Sequence, residues 1–183
     1  MFNSRFSKRY LAFLLVTTSL LLPGTLSIAR ATSTTKIVGL QLFPNLIAKH
    51  VEGVVNYPQT PPVGGKHNGV WLNCGVYTKP VLNENAVHSL EHGAVWVTYN
   101  PKLVSGKNLK ALQALIPRTY AILSPYPGIN SPIVLSAWGA QLKLLKSSDP
   151  RFKAFMNLYR QSPQAPEPGA PCTGDLDAAG KIA

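Results

Sequence analysis

The chain has 183 residues, 45% of them hydrophobic, with 18 Lys and Arg against 7 Asp and Glu and a formal net charge of +11. That length holds one domain with a substantial core and is too short for two comfortable ones. The positive charge is spread thinly, with no run of like charges and no basic patch interleaved with aromatics, which excludes a nucleic-acid binder of the usual electrostatic kind.

Arg5, Lys8 and Arg9 give a positive start, and Leu11 to Leu22 form an apolar run with Thr17, Thr18 and Ser19 inside it. Pro23 and Gly24 break that run, and Ala29-Arg30-Ala31 places small residues at the two positions a signal peptidase reads. Residues 1–31 are therefore expected to be a secretory signal peptide. The run is about a dozen residues, short of the roughly 20 that span a bilayer as a helix; an uncleaved anchor is the alternative. No later segment is apolar enough to cross a membrane. Removing Arg5, Lys8, Arg9 and Arg30 leaves 14 basic residues against 7 acidic, a net charge of +7. That balance suits loose association with an anionic component of the envelope, and the expected location is periplasmic, extracellular or envelope-associated.

Residues 32–35 are a polar leader. Lys36 to Phe43 reads as a first strand or a short helix, and periodicity does not decide between them. In Tyr57-Pro58-Gln59-Thr60-Pro61-Pro62-Val63-Gly64-Gly65-Lys66-His67 the prolines and glycines forbid regular structure, and a long rigid loop in a small domain points to function. Val70 to Tyr77 is β-like in composition. Asn83 as N-cap, Glu84 in the first turn and Gly93 at C′ bound a helix of two to three turns. Ala94 to Tyr99 is a strand rich in β-branched and aromatic residues. Ser105 to Leu115 is helical, with Leu109, Leu112, Leu115 and Ile116 on one face. Thr119 to Leu123 and Ile133 to Trp138 are strands separated by the turn at Pro125-Tyr126-Pro127-Gly128, and Leu142 to Leu145 extends the sheet. Asp149-Pro150 opens a last helix, with Phe152, Phe155, Met156 and Tyr159 at core spacing. The predicted organisation is a single α+β domain over 32–162, followed by a Pro/Gly/Ala-rich tail, 163–183, pinned by Cys172. The fold class is a compact two-layer α+β sandwich, with two or three helices on a mostly antiparallel sheet.

Cys74 and Cys172 are the only cysteines. Two thiols in a small exported domain pair as a rule, and neither lies in a Cys-x-x-Cys spacing. A structural disulfide is expected; metal-ligating thiolates or a redox couple are the alternatives.

Ligand-type side chains concentrate in His88-Ser89-Leu90-Glu91-His92. On a helix His88 and His92 stand at i and i+4, one above the other on one face, the spacing by which a helix offers two imidazoles to one metal ion. Glu84 lies one turn before His88 and Glu91 lies at i+3, each able to ligate, to orient a histidine, or to act as a general base. His67, at the end of the Pro-Pro-x-Gly-Gly-x-His loop, is the third histidine of the expected set. His50 lies in a stretch without a motif and is not assigned to the site. The five residues also match His-x-x-Glu-His, the inverted-zincin pattern. Gly93 ends the helix at once, however, and Glu167, the downstream candidate ligand, falls in the proline-rich tail.

The strings Pro61-Pro62-Val63-Gly64-Gly65-Lys66-His67, Gly75-Val76-Tyr77 and Glu84 to Gly93, with Ser136-Ala137-Trp138-Gly139 and Pro166-Glu167-Pro168-Gly169, resemble the bacterial family catalogued as Domain of Unknown Function 3105. The resemblance spans roughly residues 45–175 and implies exported or membrane-tethered proteins. It treats His67, His88, Glu91 and His92 as one constellation and implies no reaction.

The function expected from these readings is transition-metal binding, copper(II) or zinc, through His67, His88, Glu91 and His92. Imidazole suits both ions, and with the signal removed Met156 is the sole methionine, which argues against a methionine-rich copper(I) carrier. Three alternatives stand beside it. One is a small metal-dependent hydrolase with Glu91 as base. Another is a non-catalytic envelope module with a structural His/Glu helix, and the last is a thiol oxidoreductase.

Overall fold

A computed structural model describes residues 36–183. The expected signal peptide at 1–31 and polar leader at 32–35 lie outside the described residues. The middle of the sheet is β5 (Val95–Tyr99), with all five residues buried. β6 (Ala121–Pro125) pairs with it in parallel and β7 (Ile133–Ala137) antiparallel. β8 (Ala140–Leu144) returns antiparallel to β7 through a tight turn at Trp138 and Gly139, where Gly139 takes φ +71°. The short strands β1 (Gln41–Leu42) on β8 and β4 (Gly75–Val76) on β6 complete the order β1-β8-β7-β5-β6-β4. Three of the five pairings are antiparallel, so the sheet is mixed with an antiparallel majority.

The two halves of the sheet follow from their connections. Parallel neighbours need a crossover, whereas antiparallel ones need only a hairpin. α1 (Asn83–Glu91) carries the chain from β4 to β5, and α2 (Gly106–Gln113) carries it from β5 to β6. The two crossovers end on opposite faces. Strand alternation puts Val95, Val97 and Tyr99 in one apolar cluster with Leu112 of α2 and with Phe152, Phe155 and Met156 of α3 (Pro150–Tyr159). Trp96 and Ile122 point the other way, into a second cluster with Ala86, Val87 and Leu90 of α1 and with Leu72, Cys74 and Tyr77. The α+β class is thus seen, with helices covering both faces of the central strands. The near-continuous apolar run Val95-Trp96-Val97 is the sequence mark of a strand buried on both sides.

Helix ends follow local chemistry with one difference. Asp149 accepts from the Arg151 N–H with Pro150 in the first turn, as the cap-then-proline pattern predicts. Asn83, expected as the cap of α1, is instead its first helical residue; Leu82 takes the cap position without a side-chain bond. Gly93 follows α1 at φ +92°, and a Cβ there would stand 3.0 Å from the Gln161 Cα, so glycine is needed twice over.

The stretch Val70 to Tyr77, β-like in composition, contributes only β4 to the sheet and otherwise pairs with the C-terminal segment. Leu72 bridges Leu176 and Tyr77 bridges Lys181, while Val76 exchanges backbone bonds of 2.7 and 2.9 Å with Ala183 and Ile182. Residues 163–183 are therefore held along their length in addition to the Cys74–Cys172 disulfide, whose Cα atoms lie 5.4 Å apart. A second, two-stranded parallel ladder pairs β2 (Lys49–His50) with β3 (Lys66–His67).

The disulfide spans 98 residues of sequence, and the chain-entropy model assigns a loop of about that size roughly 4–5 kcal/mol. The Cys74→Ala/Cys172→Ala chain is expected to lose about 2–5 kcal/mol in urea unfolding. A loss well under 1 kcal/mol would show that the backbone bonds of the C-terminal segment hold it without the covalent link.

Candidate metal centre

The site forms where α1 meets the β2–β3 ladder. Register pairs His50 directly with His67, which lays their side chains next to each other although they are 17 positions apart in the chain. α1 supplies His88, Glu91 and His92. The four imidazoles form a contiguous group, with centroid separations of 4.9 Å for His50–His67, 4.7 Å for His50–His88, 4.9 Å for His67–His88 and 4.6 Å for His88–His92.

Each histidine of the expected set is oriented by a backbone carbonyl. The Nδ1 atoms of His67, His88 and His92 donate to the carbonyls of Gly65 (2.8 Å), Asn68 (2.8 Å) and Pro171 (2.6 Å). A carbonyl can only accept, so each ring carries a proton on Nδ1, and in its neutral form each turns an Nε2 lone pair inward. The glycine pair of the loop makes the first of these bonds available. Gly64 and Gly65 take φ +138° and +109°, and a Cβ on Gly64 would meet Leu46 at 2.8 Å and Trp138 at 3.0 Å.

The lone pairs converge on one carboxylate. Glu91 Oε2 lies 2.8 Å from His67 Nε2, 3.6 Å from His50 Nε2 and 3.7 Å from His88 Nε2. Two hydrogen-bond acceptors at 2.8 Å repel unless a cation stands between them, either a proton on Nε2 or a metal ion. His67, His88 and Glu91 are 0%, 3% and 4% exposed, so bulk water does not screen that repulsion. Burial pushes the His88 imidazole down to about 4 from 6.5, opposed by its bond to the Asn68 carbonyl and reinforced by the other three histidines. His88 is thus held neutral across the ordinary pH range, the form in which an imidazole can ligate.

One ligand atom from each of His50, His67, His88 and Glu91 lies within 4.8 Å of the others, a set that could hold a metal ion. Donors around a tetrahedral ion at 2.0–2.1 Å stand about 3.3 Å apart, so small side-chain movements close the set. His50, which the sequence does not assign to the site, is one of these four. No local spacing could signal it, because a strand pairing at long range brings it in. His92 stands beside His88, but its Nε2 faces Glu167 Oε2 at 3.7 Å, and it groups with Glu91 and Glu167. Glu84, a candidate from helical spacing, accepts the Val55 N–H at 2.8 Å instead, and so ties the segment after His50 to α1.

Two tryptophans wall the group. Trp71 stands 5.7 Å from His88 and 5.2 Å from His92, and Trp138, at the β7–β8 turn, meets His67 edge-on at 5.9 Å. His50 is the exposed member, and it opens onto a cleft of about 700 Å³ lined by Val51, Glu52, Asn68, Gly69 and Val70. Among the described residues there is no free cysteine, and the buried Met156 belongs to the opposite core cluster, so sulfur donors are absent from the group.

No curated protein and no solved structure matches the chain. A sequence family does, over residues 50–174, from His50 itself to just past Cys172. That stretch contains the four histidines, Glu91, Glu167 and both cysteines. The chain belongs to the family described as Protein of unknown function (DUF3105).

Proposed function

We propose that this protein is an exported domain that binds a divalent transition metal, zinc or copper(II), through the Nε2 atoms of His50, His67 and His88 and the carboxylate of Glu91. The observation that carries the reading is the 2.8 Å approach of two buried acceptors, His67 Nε2 and Glu91 Oε2, with two further imidazole nitrogens aimed at the same oxygen. Three nitrogens and one oxygen make a borderline donor set of the kind zinc and copper(II) favour. Export is supported by the apolar N-terminal run of the sequence and by the Cys74–Cys172 disulfide.

Glu91 is read as a ligand rather than a free base, because its oxygen already sits among the nitrogens that would bind the ion. His50 makes the site loadable. It is 56% exposed at the mouth of the cleft, so it can swing out to admit an ion and return to complete the set.

Groups that merely orient a ligand are worth about 10–100-fold in metal affinity, so loss of a ligand is expected to cost about a hundredfold or more. In competition titrations with zinc, His67→Gln and His88→Gln should each weaken binding by that amount. Unchanged affinity in both would overturn the reading. Glu91→Gln separates ligand from base: loss of metal is expected, whereas full metal retention would move Glu91 to the hydrolytic role.

A titration by NMR of the metal-free protein tests the orientation of His88. Its imidazole is expected to stay neutral down to about pH 5 and to protonate near 4, against 6.5 for a free side chain. The unfolded chain takes up that proton first. His88 therefore makes folding stability rise with pH between about 4 and 6.5. A midpoint near 6.5 would contradict its burial as a neutral ligand.

A further inference from the structure

His92 and Glu167 are left over by the four-donor set, and the backbone that carries both is held in place. His92 is 3% exposed, and its Nδ1 donates to the Pro171 carbonyl at 2.6 Å, which in the neutral ring leaves Nε2 as a bare acceptor. That nitrogen faces Glu167 Oε2 at 3.7 Å, too long for a hydrogen bond and, again, acceptor against acceptor. The backbone that carries the Glu167 carboxylate is fixed against α1. The Glu167 N–H donates to the Glu91 carbonyl at 3.0 Å and the Gly169 N–H to the His92 carbonyl at 3.1 Å, so residues 167–171 cap the last turn of α1. Tyr120 adds bonds from its hydroxyl to the Gly169 and Ala170 carbonyls. A backbone built in this way delivers one carboxylate to one buried imidazole.

Ligand atoms of Glu91, His92 and Glu167 lie within 4.8 Å of one another, and Glu91 belongs to both groups. We infer that the protein holds a second divalent cation, bound by His92 and Glu167 and sharing the Glu91 carboxylate with the first. Resting on the proposed first site, this makes the centre binuclear, with Glu91 as the bridge. Ions that share a bridging group lie about 3.5–4 Å apart, a separation comparable to the 4.6 Å between the His88 and His92 rings that would serve them. One nitrogen and two carboxylates are a harder set than three nitrogens and one carboxylate, so the second position favours zinc, manganese(II) or iron(II) and binds more weakly than the first. The same bridge explains why α1 carries His88, Glu91 and His92 together: the i and i+4 histidines serve neighbouring ions, and the glutamate between them serves both.

The test is stoichiometric. The full-length mature protein, stripped with chelator and titrated with zinc alone, is expected to take up two equivalents in two steps, and Glu167→Gln to take up one. Glu167 is 58% exposed at its side chain, so this variant folds, and circular dichroism checks it. The retained step in Glu167→Gln should keep its affinity within about threefold, and His67→Gln should weaken the tighter step instead. Copper(II)-loaded wild type should also show a half-field electron-paramagnetic signal from a coupled pair, absent in Glu167→Gln. One equivalent in wild type, unchanged by Glu167→Gln, would overturn the second site while leaving the first. One equivalent that Glu167→Gln abolishes would overturn the binuclear arrangement in favour of a single site at His92. Two equivalents in both proteins would remove Glu167 from the centre, and none in either would overturn the metal reading altogether.

Discussion

The interaction on which this structure turns is the approach of imidazole nitrogens to the buried carboxylate of Glu91, with His50 alone facing the cleft. His67 Nε2 stands 2.8 Å from that carboxylate, and His50 and His88 stand within 3.7 Å. Such groups stand this close with a proton or a metal ion between them, since a buried unpaired polar group costs about 1–3 kcal/mol and a buried unpaired charge more. Much of the domain can be understood as the means of holding those acceptors in place. Three carbonyls, from the Gly64-Gly65 loop, from Asn68 and from Pro171, set the three rings of His67, His88 and His92. The first two flank β3 and the third belongs to the C-terminal segment, so both segments have to be fixed.

The fixing is done by the faces of the sheet. α1 packs Ala86, Val87 and Leu90 on Trp96 and Ile122, which presents His88, Glu91 and His92 away from the sheet at one end of the cluster. The loop before β3 is held by Gln141, whose Nε2 donates to the Pro61 carbonyl at 2.8 Å, and by Trp138 against Gly64 and His67. The C-terminal segment is fixed covalently at Cys172 and by backbone bonds to Glu91 and His92. Pro171, whose carbonyl orients His92, is the residue next to that disulfide. The bridge thus has a place in the site as well as in stability: it anchors the carbonyl that aims one of the histidines.

Local chemistry was the legible part of this molecule. β5 to β8 are bounded by Pro, Gly and Asn and are rich in branched side chains, and the Asp149-Pro150 start of α3 and the Gly93 end of α1 have the residues their backbones demand. Within the site, His88, Glu91 and His92 share a helix and were visible by spacing, and the rigid loop marked His67. What could not be read was long-range. His50 joins through a ladder of two residues a strand, too short for any period to register. Glu167 sits in a proline-rich segment that looks like a loose tail until its backbone is seen to cap α1. Glu84 shows the converse error, since helical spacing put it near His88 while tertiary structure gave its carboxylate to the Val55 N–H.

With both cysteines in a disulfide and Met156 in the core beneath the other face, nitrogen and oxygen are the donors this centre offers. That restricts it to borderline and hard divalent ions and gives the account a spectroscopic signature. The most direct test is zinc K-edge X-ray absorption on the protein loaded with one equivalent. The account predicts about three imidazole nitrogens and one carboxylate oxygen at about 2.0–2.1 Å, with the outer-ring scattering of coordinated histidine. A spectrum without imidazole scattering, or one with a sulfur shell near about 2.3 Å, would contradict it.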